Sequence, residues 1–202
     1  MMALNDDVVA NLRAETKAQH ETLDSNLPIA GDDATLAAYQ QHLLALRAWL
    51  APLQDWLGQF GDGPQAADFL PGTQRIALID ADLAEPCMAA IERPAQPPHC
   101  AAPASGAAAY RWGVCYVIEG SQLGGAVLHR RLAASLSPHP LRYLSAGNVP
   151  PGPRWSAFLH GLRAAVRDPV SIAAACDGAR DAFDRILAIH GLNPRPESGR
   201  PG

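Results

Sequence analysis

A chain of 202 residues is long enough to bury one substantial core and short for two. With 48% hydrophobic and 18% charged residues it reads as globular and not disordered, and a formal charge of −4 gives no broad electrostatic reason to expect nucleic acid as a partner. The N-terminal MMALNDDVVANLRAETK carries no apolar run of signal-peptide length, and nowhere do about 18 apolar residues run uninterrupted, so a cytoplasmic chain without a membrane span is expected. Cys87, Cys100, Cys115 and Cys176 show no CxxC spacing. That pattern suits reduced, structural thiols better than a zinc site or a disulfide framework.

The pattern predicts one all-α domain over residues 7–191, with a flexible tail over 192–202 and no internal repeat. From Asp7 to Asn26, Val8, Leu12, Thr16, His20, Leu23 and Leu27 recur at spacings of three and four, which predicts an amphipathic helix. After a loop, Asp32 or Asp33 is the expected cap of a second helix running from Ala34 to about Trp56, with Pro52 expected to kink or shorten it. Thr73 opens a short helix carrying Ile76, Leu78, Ile79 and Leu83. Glu85 to Ser105 is a proline-rich connector. A long helical pattern returns from Gly106 to about Leu136, a loop rich in proline and glycine spans Ser137 to Pro153, and two helices close the domain, Arg154–Arg167 and Pro169–His190. Pro169 suits a first helical turn. No stretch shows sustained strand alternation.

Two segments bear chemistry. In LRAETKAQHETLD, Arg13, Lys17, His20 and Asp24 step by four, three and four along one helix stripe. A neutral imidazole is a good iron ligand, and Asp24, one turn on, is placed to accept the other ring N–H. Arg13 and Lys17 lie roughly 10 and 5 Å from His20 along the axis, where they would meet carboxylates on a flat ligand's rim. A surface histidine beside a solvated cationic face is an equally direct reading, and the stripe alone does not decide between them.

The second segment is AYRWGVCYVIEGSQLGGAVLHRRL, where the apolar pattern continues on both sides of Gly120, Gly124 and Gly125. Each glycine inside a helix costs roughly 0.8–1 kcal/mol relative to alanine, so three together call for a reason. Close packing of another helix is one. A flat ligand lying on bare backbone is the other, with the Ser121 hydroxyl beside it to position water.

Together these segments resemble the heme oxygenase family, most closely its bacterial, biliverdin-producing branch. LRAETKAQHETLD resembles the family's proximal helix and YVIEGSQLGGAVL its distal helix, while WSAFLHGLRAAV and ACDGARDAFDRI resemble its C-terminal helices. The resemblance implies a single helical bundle with heme between the first helix and a kinked glycine-containing one. It places His20 as iron ligand and Asp24 as its hydrogen-bond partner. Arg13, Thr16, Lys17, Tyr116 and Phe183 fall among the heme contacts, and Gly120, Ser121, Gly124 and Gly125 form the distal face that directs the reaction. Animal-type members carry aspartate where Ser121 stands, so the water network here must be built from other groups.

The resemblance further implies oxidative opening of heme, at once cofactor and substrate, by O2 to biliverdin, CO and ferrous iron. No flavin or nucleotide fingerprint is present, so the electrons are expected from a separate reductase or ferredoxin, and a bacterial phytochrome is a candidate acceptor of biliverdin. A heme carrier or sensor without turnover is one rival. A non-heme di-iron oxidase is another, for which His42, Asp80, Asp82, Glu92, Glu119, Asp181 and Asp184 are the available ligands, although no paired Glu-x-x-His motif joins them. His99, His139 and His190 are expected to be exposed, and His160 with Arg163 to face the rim carboxylates.

Overall fold

The computed structural model describes residues 7–31, 34–92, 103, 105–148 and 150–192. Within these the chain forms six α-helices and no strand: α1 (Val8–Asn26), α2 (Leu36–Leu57), α3 (Arg75–Leu83), α4 (Ala108–Leu132), α5 (Pro151–Ala165) and α6 (Pro169–Ile189). The all-α expectation holds, and the element boundaries differ from it by a few residues. The expected caps Asp32 and Asp33 lie outside the described residues; Thr35 caps α2, its hydroxyl accepting from the Ala38 N–H at 3.2 Å. Pro52 does not shorten α2, which runs on to Leu57. The expected tail and most of the proline-rich connector also lie outside the described residues, as do His99 and Cys100.

The last helix organises the others. Asp168 caps α6 and exchanges hydrogen bonds with Ser171 in a capping box, so its first turn is fixed locally. Ala175, Ala179 and Ala182 are fully buried along one face, which lets neighbouring backbones come close. Closest of all is the crossing with α4. A Cβ on Gly113 would stand 1.8 Å from the Ala175 carbonyl oxygen, and one on Gly178 would stand 2.0 Å from that of Tyr110. Only hydrogen fits at either position. On its other flanks α6 meets α1, through Gln19 donating to Asp184 at 2.7 Å, and α2, through the Trp49 indole donating to the Ala182 carbonyl at 2.9 Å.

The core between these helices holds Leu12, Tyr39, Leu43, Leu50, Val114, Phe158, Leu162 and Leu187. Phe69 packs edge-on against Trp112, with ring centroids 4.9 Å apart, and its ring fills the space left by Gly161 on α5. Cys115 and Cys176 are buried free thiols and Cys87 is a half-buried one. Burial pushes the Cys115 thiol up to about 12, which keeps it protonated and inert.

The segment after α4 corrects one expectation. His139 is buried, at 4% exposure. Its Nε2 bonds the Asp82 carbonyl oxygen and its Nδ1 accepts from the Leu141 N–H, both at 3.0 Å. The Asp82 carboxylate, also buried, accepts from the Arg142 N–H at 3.1 Å, the Tyr143 N–H at 2.9 Å and the Tyr39 hydroxyl at 2.6 Å. The proline-bearing loop is therefore stitched onto the end of α3, because a buried carboxylate must find donors and the turn supplies them. His190 is half-buried rather than exposed.

Candidate functional site

On α1, the Thr16 side chain turns inward and its hydroxyl donates to the Leu12 carbonyl at 2.7 Å, so it faces the core. One turn later His20 stands out from the helix, 62% exposed. Its Nδ1 is 3.0 Å from the Asp24 carboxylate, one turn further along the same face. That bond favours the tautomer with the proton on Nδ1, which leaves Nε2 as a free lone pair. The ring meets Phe183 of α6 edge to face, with centroids 5.9 Å apart. Lys17 pairs with Glu21 at 3.8 Å across open solvent, a contact that contributes little. The positive charge of Arg13 acts on the Tyr116 phenol of α4. Burial raises the pKa of that phenol more than the Arg13 charge lowers it, so Tyr116 stays protonated.

Both α1 and α4 pack on α6 and make little direct contact with each other among the described residues, which leaves a groove between them. The second half of α4 faces outward very differently from the first. A Cβ on Gly120 would meet the Trp155 ring at 3.6 Å and one on Gly125 would meet the Leu144 carbonyl at 3.8 Å, both ordinary contacts. Among the described residues, a Cβ on Gly124 would meet nothing within 4 Å. Close helix packing, the competing reason for these glycines, applies to Gly113 and not to Gly124. The helix stays continuous through all three.

Polar groups hold this half of α4 from the side. Glu119, 8% exposed, receives Arg154 Nε and Nη2 at 2.8 and 2.9 Å and Arg75 Nη2 at 2.8 Å. Burial alone would push its carboxyl up; the Arg154 bonds and the Arg75 charge hold it below the usual carboxylate value. The Ser121 hydroxyl donates to the Ile118 carbonyl at 2.8 Å, and Gln122 Nε2 donates to the Tyr143 hydroxyl at 3.0 Å.

Of the residues singled out from the sequence, the fold brings His20, Asp24 and Phe183 together and leaves bare backbone at Gly124. His160 is exposed, and Arg163 pairs with Asp7 at 2.9 Å instead of turning to the groove. The acids that would serve a di-iron centre are divided among separate partners: Asp80 with Arg47, Asp82 with Tyr39, Glu119 with two arginines, Asp181 with Tyr110 and Arg185, and Asp184 with Gln19. No group of three metal-ligating side chains forms among the described residues. His42 lies elsewhere, with His190 beside a cavity of about 280 Å³, and burial lowers its imidazole to about 4. Arg75, Gln122, Tyr143, Arg154 and Trp155 escaped the sequence reading. Most of their contacts with α4 cross 21 to 44 residues, and no local spacing signals them.

The groove so built is what a planar, carboxylate-rimmed iron porphyrin requires. It has one imidazole with its second nitrogen anchored, an aromatic edge, cations on α1 and a side-chain-free stretch of α4. The heme oxygenase family model matches residues 6–189. The chain belongs to the heme oxygenase family. With that it takes its place among oxidoreductases. A heme oxygenase of Xanthomonas campestris pv. campestris (strain 8004) is 31% identical over 167 residues, covering 81% of this chain and 93% of that protein. The heme oxygenase of Neisseria meningitidis, solved with NO and CO bound, superposes with a TM-score of 0.64 at 23% identity. The match covers 96% of this chain and 99% of that one, and it shows that the helical fold is shared. No helix among the described residues is long and apolar enough to cross a membrane.

Proposed function

We propose that this heme oxygenase family member binds heme in the groove between α1 and α4, with His20 as the iron ligand, and opens the ring to biliverdin. The observation that carries the reading is the pairing of an anchored, outward-facing imidazole with a helix whose Gly124 has, among the described residues, no neighbour that a Cβ would meet. When bound, heme supplies both the iron that activates O2 and the ring that is oxidised, yielding biliverdin, CO and ferrous iron.

The chain's own residues do the rest. His20 offers the Nε2 lone pair, and Asp24 holds the ring orientation by accepting from Nδ1–H, which also makes the imidazole a stronger donor. Phe183 closes the apolar side of that contact. Arg13 and Lys17 supply positive charge for the propionates. The backbone at Gly120, Gly124 and Gly125 lets the ligand approach without a side chain between, and Ser121 sits at its edge. No acid or base projects from the glycine face itself, so nothing there assists the O–O cleavage that a peroxidase-like site favours, and oxidation is directed to the ring. Electrons come from a separate reductase or ferredoxin, in keeping with the missing nucleotide fingerprint. A cytoplasmic setting agrees with the free thiols, and a phytochrome is the natural consumer of biliverdin.

Titration with hemin is expected to give a one-to-one complex with a histidine-ligated spectrum, and His20→Ala to abolish that spectrum. With ascorbate or a reductase the wild-type complex is expected to turn green. An unchanged Soret band under those conditions rejects turnover and leaves a heme carrier. An unchanged coordination spectrum in His20→Ala rejects the ligand assignment.

A further inference from the structure

The cavity of about 280 Å³ lies where the end of α1, the turn Pro28–Ala30, the first half of α2 and the end of α6 meet. None of the residues assigned to the heme groove lines it. Its wall is mostly apolar, and among the described residues no charged side chain faces it. Two histidines do, His42 from α2 and His190 from the end of α6. Burial pulls both imidazoles below their ordinary value, so both are neutral at neutral pH.

A histidine inside a protein ordinarily commits its ring nitrogens, as His139 does to the Asp82 carbonyl and the Leu141 N–H. His42 does not. Its Nδ1 is buried and has no hydrogen-bond partner among the described residues. Few native polar groups carry that cost without a reason. A single bridging water needs only about 10–15 Å³ of such space, so the cavity far exceeds what hydration of one nitrogen requires. It comes close to the roughly 300 Å³ at which small-molecule pockets begin.

The wall selects the occupant. A charged guest would lie uncompensated, because no side chain of opposite sign is at hand. A metal ion fails for the same reason, and no third ligating side chain joins the two imidazoles among the described residues. A hydroxyl on an apolar body meets the requirement. It donates to a bare ring nitrogen or accepts from a ring N–H, so either tautomer is served. The χ2 torsion of histidine is broadly two-fold, and a half-turn of the ring exchanges the edge that carries nitrogen toward the guest.

We propose that this cavity is a second ligand site, taking a small uncharged alcohol or phenol. The guest's hydroxyl pairs with His42, and its apolar body lies against Ile29, Leu44 and Ile189. The site goes beyond the heme reading and does not depend on it.

NMR of the histidine rings in the heme-free, full-length chain, titrated with phenol, tests it. Saturable shifts of the His42 and His190 rings are expected, with a Kd at or below about 1 mM. Toluene has the same shape without the hydroxyl and is expected to bind about tenfold more weakly. His42→Leu, read at His190, is expected to weaken phenol about tenfold and to leave toluene unchanged. Ala38→Phe, which fills the cavity, is expected to abolish both. No saturable shift of either ring up to about 10 mM phenol overturns the proposal. Equal affinity for toluene overturns it as well, and so do shifts confined to His20, which would put phenol in the heme groove. If His42→Leu does not fold, Ala38→Phe decides: undiminished phenol binding there overturns the site. Hemin takes no part in these measurements, so failure of the heme reading shows separately, in the hemin titration.

Discussion

The two halves of α4 use glycine for opposite ends. In the first half, Gly113 lets two backbones touch: a methyl group there would overlap the Ala175 carbonyl at 1.8 Å. In the second, a Cβ on Gly124 would meet nothing within 4 Å among the described residues, and the helix is held from the side by the Glu119 clamp to Arg75 and Arg154 and by Gln122 to Tyr143. One residue type thus serves close packing at one site and access at another, about three turns along the same helix. The lesson is that a glycine inside a helix has to be judged by what a Cβ would meet.

The largest effect is expected where packing is closest. Gly113→Ala must drive α4 and α6 apart, against a core whose small residues leave no slack. Overpacking of this kind costs 1–3 kcal/mol or more, and a loss above about 3 kcal/mol in denaturant unfolding is expected. A tolerated alanine there would dissolve the distinction between the two halves.

The clamp comes next. Glu119→Gln removes the carboxylate that neutralises buried Arg75, and breaking a buried pair costs about 3–5 kcal/mol. Glutamine still accepts one bond and Arg154 is partly in solvent, so about 2 kcal/mol is expected from chemical unfolding at neutral pH. The sign with pH follows from the lowered carboxyl pKa. Its stabilisation is present above the unfolded value near 4.5 and is lost as pH falls through the lower folded value. Wild type should therefore lose part of its advantage over Glu119→Gln only below about pH 4.5. An advantage that disappears already at pH 6 would show that the clamp does not act through charge.

Much of this was legible from residue spacing, and what was not has a common cause. Helices α1 and α6 follow from the 3.6-residue recurrence of apolar positions, and the His20–Asp24 pair from i,i+4 geometry on one helix. Such relations are local. Gly113 and Gly178 gave no sign of their role, because each meets a backbone some 65 residues away. His139 looked exposed because loops usually are; a buried carboxylate on α3 overrode that by recruiting the turn as its donor set. Tyr143 and the arginines of the clamp belong to the same class: long-range partners whose spacing carries no period.

The smallest expected effect on stability is the most telling for function. Gly124→Ala should leave the fold intact and stabilise it by up to about 1 kcal/mol, since the methyl meets no neighbour and helix propensity rises. Gly124→Leu extends the same logic, with a side chain long enough to lie across the glycine face. The decisive measurement is a hemin titration of Gly124→Leu beside thermal unfolding of the heme-free protein. Heme bound between His20 and this face predicts unfolding at or above the wild-type temperature with hemin affinity reduced more than tenfold. Wild-type affinity and an unaltered Soret band in a well-folded Gly124→Leu would contradict it.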